Sequence, residues 1–246
     1  MSDILNFTVA DMTACGKLFR EFETKSKSME EVAASLVNTL YNDFINKSTN
    51  EKNFVLVRFF KTHSYGKLPP ELQDFLIKTF GDKPGFEDKP THDTKCLTLL
   101  ATRGDKPEWN DRRKSGTHQA IPLYSEILVS KLPMVSGLID QFGLSVSEVI
   151  KPDRSIQVGE GDKTYNVFYV PRAKDSKFIP AQEDFVIPSG VESVLGFGGL
   201  HPNGDMFGII IFSRVPIPEN VAVMFKTISL SVKTAIISFE DRVFSS

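Results

Sequence analysis

The stretch that most constrains this chain is residues 191–215, where two apolar runs flank the turn His201-Pro202-Asn203-Gly204. Pro, Asn and Gly in that order are turn chemistry, so runs 191–200 and 206–215 are read as a β-hairpin. The second run has no polar side. Phe207, Ile209 and Ile211 alternate with Met206, Ile210 and Phe212, and side chains two residues apart share a face of a strand. A strand apolar on both faces must be covered on both. The sequence therefore demands a layered α/β fold with this strand in the interior of a sheet, helices over one face and other structure over the second.

The helices are legible as well. Residues 219–239 carry Val221, Phe225, Ile228, Val232, Ala235 and Phe239 at alternating spacings of four and three, the seam of a coiled coil or bundle. Met224, Leu230 and Ile237 widen the apolar surface, so this helix is expected to have two partners: the sheet, and either the N-terminal helices, a second subunit, or both. The first 46 residues read as two helices. Met12, Cys15, Phe19 and Phe22 mark the first; Val32, Leu36, Leu40 and Phe44 mark the second, with Ser28 and Glu31 spaced as a capping box.

Between these ends lie a doubly buried strand at 53–60, a short helix at 72–80 introduced by Pro69-Pro70, a loop at 81–93 and a second buried strand at 96–101. An irregular charged segment, 102–116, holds the single Trp. A short strand at 119–123, a helical stretch at 127–144 broken at Pro133, and a third strand at 165–170 follow. Segment 172–189 is too long for a mere connection and is read as a binding lid. The organisation is N-terminal helices over 1–50 and a domain over 51–246 that includes the terminal helix, one structural unit overall.

Composition excludes several classes of function. A net charge of −2 gives no basic field to collect nucleic acid or anionic lipid. Cys15 and Cys96 show no CxxC spacing, which suits free thiols in a reducing, cytoplasmic compartment. The N-terminus lacks the basic and apolar regions of a signal peptide, and unbroken apolar runs such as 209–212 are too short to span a bilayer. Twenty Phe residues against one Trp and five Tyr point to apolar packing with room for an apolar pocket.

No catalytic constellation emerges. Gly196-Phe197-Gly198-Gly199 lacks phosphate-loop spacing and precedes a hairpin in place of a helix, so its glycines are read as allowing close backbone approach. His63, His92, His118 and His201 make no metal-ligand spacing, and no GxSxG elbow occurs. Cys15 and Cys96 are read as core residues. The adjacent Glu183 and Asp184 do not make an acid/base pair.

The order of strand, long lid, hairpin and long terminal helix resembles a GAF domain, and GVESVLGFGGLHPNGDMFGIIIFSRVPIPENVAVMFKTISLSVKTAI (190–236) carries the likeness best. Two further blocks, CLTLLATRGDKPEWNDRRKSGTHQAIPL (96–123) and YNVFYVPRAKDSKFIPAQEDFVIPSG (165–190), resemble the GAF-like sensory region at the N-termini of bacterial sensor histidine kinases and diguanylate cyclases. The likeness covers about 53–239. It implies a mostly antiparallel central sheet in which the last two strands sit mid-sheet. It also implies terminal helices together on one face and loops and short helices over the other. No effector domain follows Phe239, so a stand-alone sensor is expected.

The resemblance implies a non-catalytic intracellular sensor binding an unidentified small molecule, a homodimer through the terminal helices, and a kinase or cyclase as downstream partner. It implies no nucleic-acid or membrane partner, and it names no cofactor. The pockets of this fold lie between the sheet and the long loops. The candidate ligand residues are therefore Trp109 and Phe168 for stacking, Arg112, His118, Asn166 and Gln182 for orientation, and Phe185 in the lid. The rival readings are a dimerisation or protein-interaction module whose pocket is filled, and a haem- or metal-binding sensor with His118 as first ligand.

Overall fold

The computed structural model describes residues 2–83, 90–152 and 165–245; part of the loop expected at 81–93 lies outside them. The strands are β1 Phe54–Ser64, β2 Lys95–Gly104, β3 Ala120–Pro122, β4 Tyr165–Val170, β5 Ser193–Leu200 and β6 Met206–Ser213. The longer helices are α1 Val9–Lys25, α2 Met29–Asp43, α3 Pro70–Phe80, α5 Pro133–Gln141 and α7 Glu219–Ile236; α4 Glu126–Ser130 and α6 Val146–Ile150 are short. The fold is mixed α/β, built on an open six-stranded sheet in the order β3-β2-β1-β6-β5-β4 with every neighbour antiparallel.

The hairpin β5–β6 lies inside the sheet, but its strands are not the two innermost. That position belongs to β1 and β6. The reason is visible in β1, whose eleven residues are buried almost throughout and need a neighbour on each side. β5 lies one place further out, flanked by the edge strand β4. Gly198 faces Gly208 across the hairpin, and a side chain at 198 would come within 2.1 Å of the Phe207 carbonyl oxygen. The backbones approach there in the way the glycine run foretold.

One face of the sheet is roofed by α1, α2 and α7. Val57 and Phe59 of β1 and Phe207, Ile209 and Ile211 of β6 pack there against Leu36, Leu40 and the α7 seam. All six seam residues of the terminal helix, from Val221 to Phe239, are buried. The second partner expected for α7 is α1, where Arg20 Nη1 donates to Ser231 Oγ at 2.7 Å. Val223, Leu230 and Ile237 stay exposed. By length and composition 219–239 matches a membrane span, yet half of its apolar window is buried inside the fold.

Helix α2 departs from the expected capping box. Ser28 Oγ does accept from the Glu31 amide, but Glu31 reaches the Lys27 amide in place of that of Ser28. The chain's C-terminal segment takes up the next orphan donors: the Met29 and Glu30 amides donate to the carbonyls of Arg242 and Val243. A complete capping box stands instead at Thr8 and Asp11 of α1.

The other face is covered by α4, α5, α6 and the segments after β2 and β4. α3 closes the β2–β3 edge through Leu72, Leu76 and Phe80, joined by Leu68 just before it, packed on Cys96 and Ala120. The irregular segment 172–189 is ordered and contains one π-helical turn, Gln182–Val186.

Candidate functional site

The period of two along β1 divides its side chains between the faces. Val57 and Phe59 enter the helix-covered core, while Leu56, Arg58 and Phe60 form the floor of a cavity of about 500 Å³. Leu97 of β2, Ile121 of β3, and Ile210 and Phe212 of β6 extend that floor. One wall is the start of α5, from Leu132 to Val135, with Leu138 one turn on. The roof comes from segments 106–118 and 179–185.

Local chemistry holds the roof in place. Thr102, the β2 partner of Arg58, donates its hydroxyl to the Trp109 carbonyl at 2.9 Å. The Gly104 amide donates to Asn110 Oδ1 at 2.9 Å. Gly104 carries no side chain because a Cβ there would stand 2.9 Å from both the indole of Trp109 and Leu56. Trp109 meets Phe185 edge-on at 5.5 Å, and Phe185 meets Phe212 edge-on at 4.9 Å, giving a staircase of aromatic rings from roof to floor. Lys106 places its ammonium 4.9 Å from the centre of the indole ring.

The electrostatics of the cavity are unusual for a core. Arg58 Nε is shut off from solvent with no hydrogen-bond partner, and among the described residues no carboxylate pairs with its guanidinium. Burial pushes the Arg58 pKa down to about 10, which still leaves it charged at neutral pH. His118 is exposed at its surface side yet shifted down to about 4, first by partial desolvation and then by the charge of Arg58, so its imidazole is neutral at pH 7. Ser115, 7% exposed, also has a hydroxyl with no partner. Buried polar groups are normally satisfied, and here two unsatisfied ones border the same space.

No family model, curated protein or solved structure gives a significant match to this chain. What the site can do must be read from its own side chains.

Of the residues singled out by sequence, Trp109, His118 and Phe185 line the cavity. Arg112, Asn166, Phe168 and Gln182 are not among its lining residues. Arg112 pairs through Nε with Glu30, stands over the ring of Phe244, and so ties segment 112–114 to α2 and the C-terminal segment. Asn166 Oδ1 accepts from the Val167 amide. Phe168 is fully buried in the core beneath this face, edge-on to Phe178. Gln182 braces the lid: it accepts from the Asp175 amide, at the left-handed turn φ 60°, and donates to the carbonyls of Ala173 and Ile179.

Sequence reasoning missed Arg58 and Ser115. The signal was present for the first: a lone arginine inside the apolar run from Phe54 to Phe60. Nothing marked Ser115, since its burial comes from the roof folding over it. Asp184, dismissed as half of a mismatched acid pair, lines the cavity, placed there by the π-helical turn. Both cysteines lie in the core, where burial raises Cys15 to about 11 and Cys96 to about 12, so both are protonated thiols.

A second buried charge cluster occupies the opposite face of β1. Lys61 Nζ is fully buried, 3.2 Å from Asp205 and 3.4 Å from Glu240. Lys95 reaches Asp205 at 2.6 Å, and His201 Nδ1 lies 2.7 Å from Glu240. Burial alone would raise the Asp205 pKa, but Lys61 and Lys95 outweigh it and hold the carboxylate below its usual range.

Proposed function

We propose that this chain is a non-catalytic, GAF-like intracellular sensory domain that takes a small molecule into the cavity between sheet and roof. The observation that carries the reading is the cavity itself: apolar and aromatic on most sides, yet bordered by the unpartnered Arg58 and Ser115. Protein interiors are close-packed, so a cleft of about 500 Å³ running in beside a charge with no partner is the kind of space a ligand would fill. A pocket of this volume, with few polar groups among apolar walls, is the usual form of a small-molecule site. The interior placement of β5 and β6, and the packing of α1 along α7, support the GAF-like assignment.

In this reading the ligand bridges floor and roof. It fixes segments 106–118 and 179–185 against β1 and β6, whose other faces carry the terminal helices. Occupancy is then transmitted to α1 and α7, and from them to a homodimer partner across the exposed Val223, Leu230 and Ile237 and to an effector such as a kinase or cyclase. A module whose pocket has filled in is disfavoured by the open volume. A haem sensor would use His118, the histidine that lines the cavity, whose imidazole is in the neutral form a metal requires.

Native mass spectrometry of freshly purified protein tests the proposal. An additional mass that is released on denaturation, or a thermal shift with members of a broad metabolite panel, is the expected result. Protein that carries no added mass and responds to none of the panel contradicts it.

A further inference from the structure

The charges around the cavity select a class of ligand, an inference that rests on the small-molecule reading above. Lys106 and Lys114 are offset by Glu108 and Asp184, which leaves the Arg58 charge uncompensated. Arg58 sits mid-strand between Thr102 of β2 and Ile210 of β6, neither of which is an acid. Arg112 meets Glu30 and Arg214 meets Asp105; the half-buried Arg103 also has an Nε without a partner, but unlike Arg58 it does not line the cavity. Arg58 is half-buried, with its Nε shut off from solvent and no acid beside it, and the partner that would answer its charge is most simply an anion supplied from outside.

We propose that the ligand is a monoanionic organic acid, its carboxylate forked onto Arg58 with the Ser115 hydroxyl as a further donor, and its apolar body lying against Trp109, Phe185, Phe212 and Met134. The planar guanidinium matches a carboxylate with two parallel hydrogen bonds. The start of α5 adds to the attraction. Leu132 at its N-cap offers no side-chain acceptor and Pro133 carries no N–H, so the uncapped donors of this nine-residue helix are the amides of Met134 and Val135, two residues of the cavity wall. Polyanions are disfavoured, because a second or third negative charge would meet the carboxylates of Glu108 and Asp184 on the cavity rim. The neutral His118 leaves Arg58 as the anchor.

The single tryptophan makes the test direct, since Trp109 lies in the cavity wall. Its emission and titration calorimetry would be followed with benzoate, 3-phenylpropanoate and octanoate, each beside its uncharged primary amide, and with inorganic phosphate. At least one acid is expected to bind about tenfold or more tightly than its amide, the worth of one charge-assisted hydrogen-bonded pair. Arg58→Met should bring that acid down to its amide's affinity and leave the amide unchanged. Arg58→Lys, which keeps the charge and loses the fork, should fall between the two and serves if the methionine variant does not fold.

Amides binding as well as their acids, a preference for acids that survives in Arg58→Met, or phosphate binding more tightly than every acid would each overturn the assignment. If amides bind and acids do not, the cavity is still a ligand site and only the anionic anchor fails. If neither acids nor amides bind at roughly millimolar concentration and no mass co-purifies, both readings fall.

Discussion

Arg58 and Lys61 lie three residues apart on the same strand, and the protein treats them in opposite ways. Lys61 points into the helix-covered face and is enclosed by Asp205 and Glu240, themselves tied to Lys95, His201 and Asn203. Every charge there has an answering charge. The cluster joins the hairpin turn to the end of the terminal helix, as a structural ion network would. Arg58 points to the other face, where its nearest strand partners are Thr102 and Ile210 and its guanidinium borders open space. A saturated buried charge fixes structure; an unsaturated one beside a cavity is poised for something that is not part of the chain.

The largest effect that could break the comparison is at Lys61. Lys61→Met removes the buried cation shared by Asp205 and Glu240, leaving Asp205 to Lys95 alone, and should cost about 3–5 kcal/mol in urea unfolding. A loss under about 1 kcal/mol would mean that the network is dispensable and the contrast with Arg58 empty.

Acid titration follows in size. His63 is pushed down to about 3, chiefly by burial and then by Lys61, and His118 to about 4. Both folded values lie below the unfolded value of 6.5, so between that pH and the folded values the unfolded chain holds more protons. Stability is therefore unaffected by these groups above pH 6.5. Below it, His63 removes about 1.4 kcal/mol per pH unit until its folded value is reached, whereas His118 is exposed and removes far less because solvent screens its charge. His63→Phe should flatten this slope on the network side, and His118→Phe should change it little. A stability profile unchanged between pH 7 and 4.5, roughly the span of an ordinary histidine titration, would contradict the burial of His63.

A smaller effect is expected at the roof. Gly104→Ala forces a methyl group against Trp109, Leu56 and the Val55 carbonyl, and should cost about 1–3 kcal/mol while shifting the emission of Trp109. An unaltered spectrum would show that the indole does not rest on Gly104.

The helix-covered face was largely legible in the sequence, and the cavity face only in part, for a physical reason. Helix seams and doubly apolar strands repeat at fixed spacings, so Val221 to Phe239 and Phe207 to Phe212 declared their burial. The sheet order did not follow from that pattern. The length and burial that place β1 at the centre concern its pairing, which alternation does not encode. The cavity is assembled from segments with no repeating pattern. Trp109, His118 and Phe185 stood out as unusual residues in long loops and do line it. Arg112 and Gln182 stood out equally, but their bonds are spent within the fold, on Glu30 and on the lid backbone. Arg58 was concealed by the apolar residues on either side of it.

The most direct measurement of the central claim is the stability of Arg58→Met in protein unfolded and dialysed to remove any bound molecule, compared with wild type and Lys61→Met by urea titration. If the Arg58 charge is unpartnered within the chain, its removal leaves stability within about 1 kcal/mol of wild type or raises it. A loss of about 3–5 kcal/mol, matching Lys61→Met, would show that the fold itself satisfies Arg58 and that the cavity is not waiting for an anion.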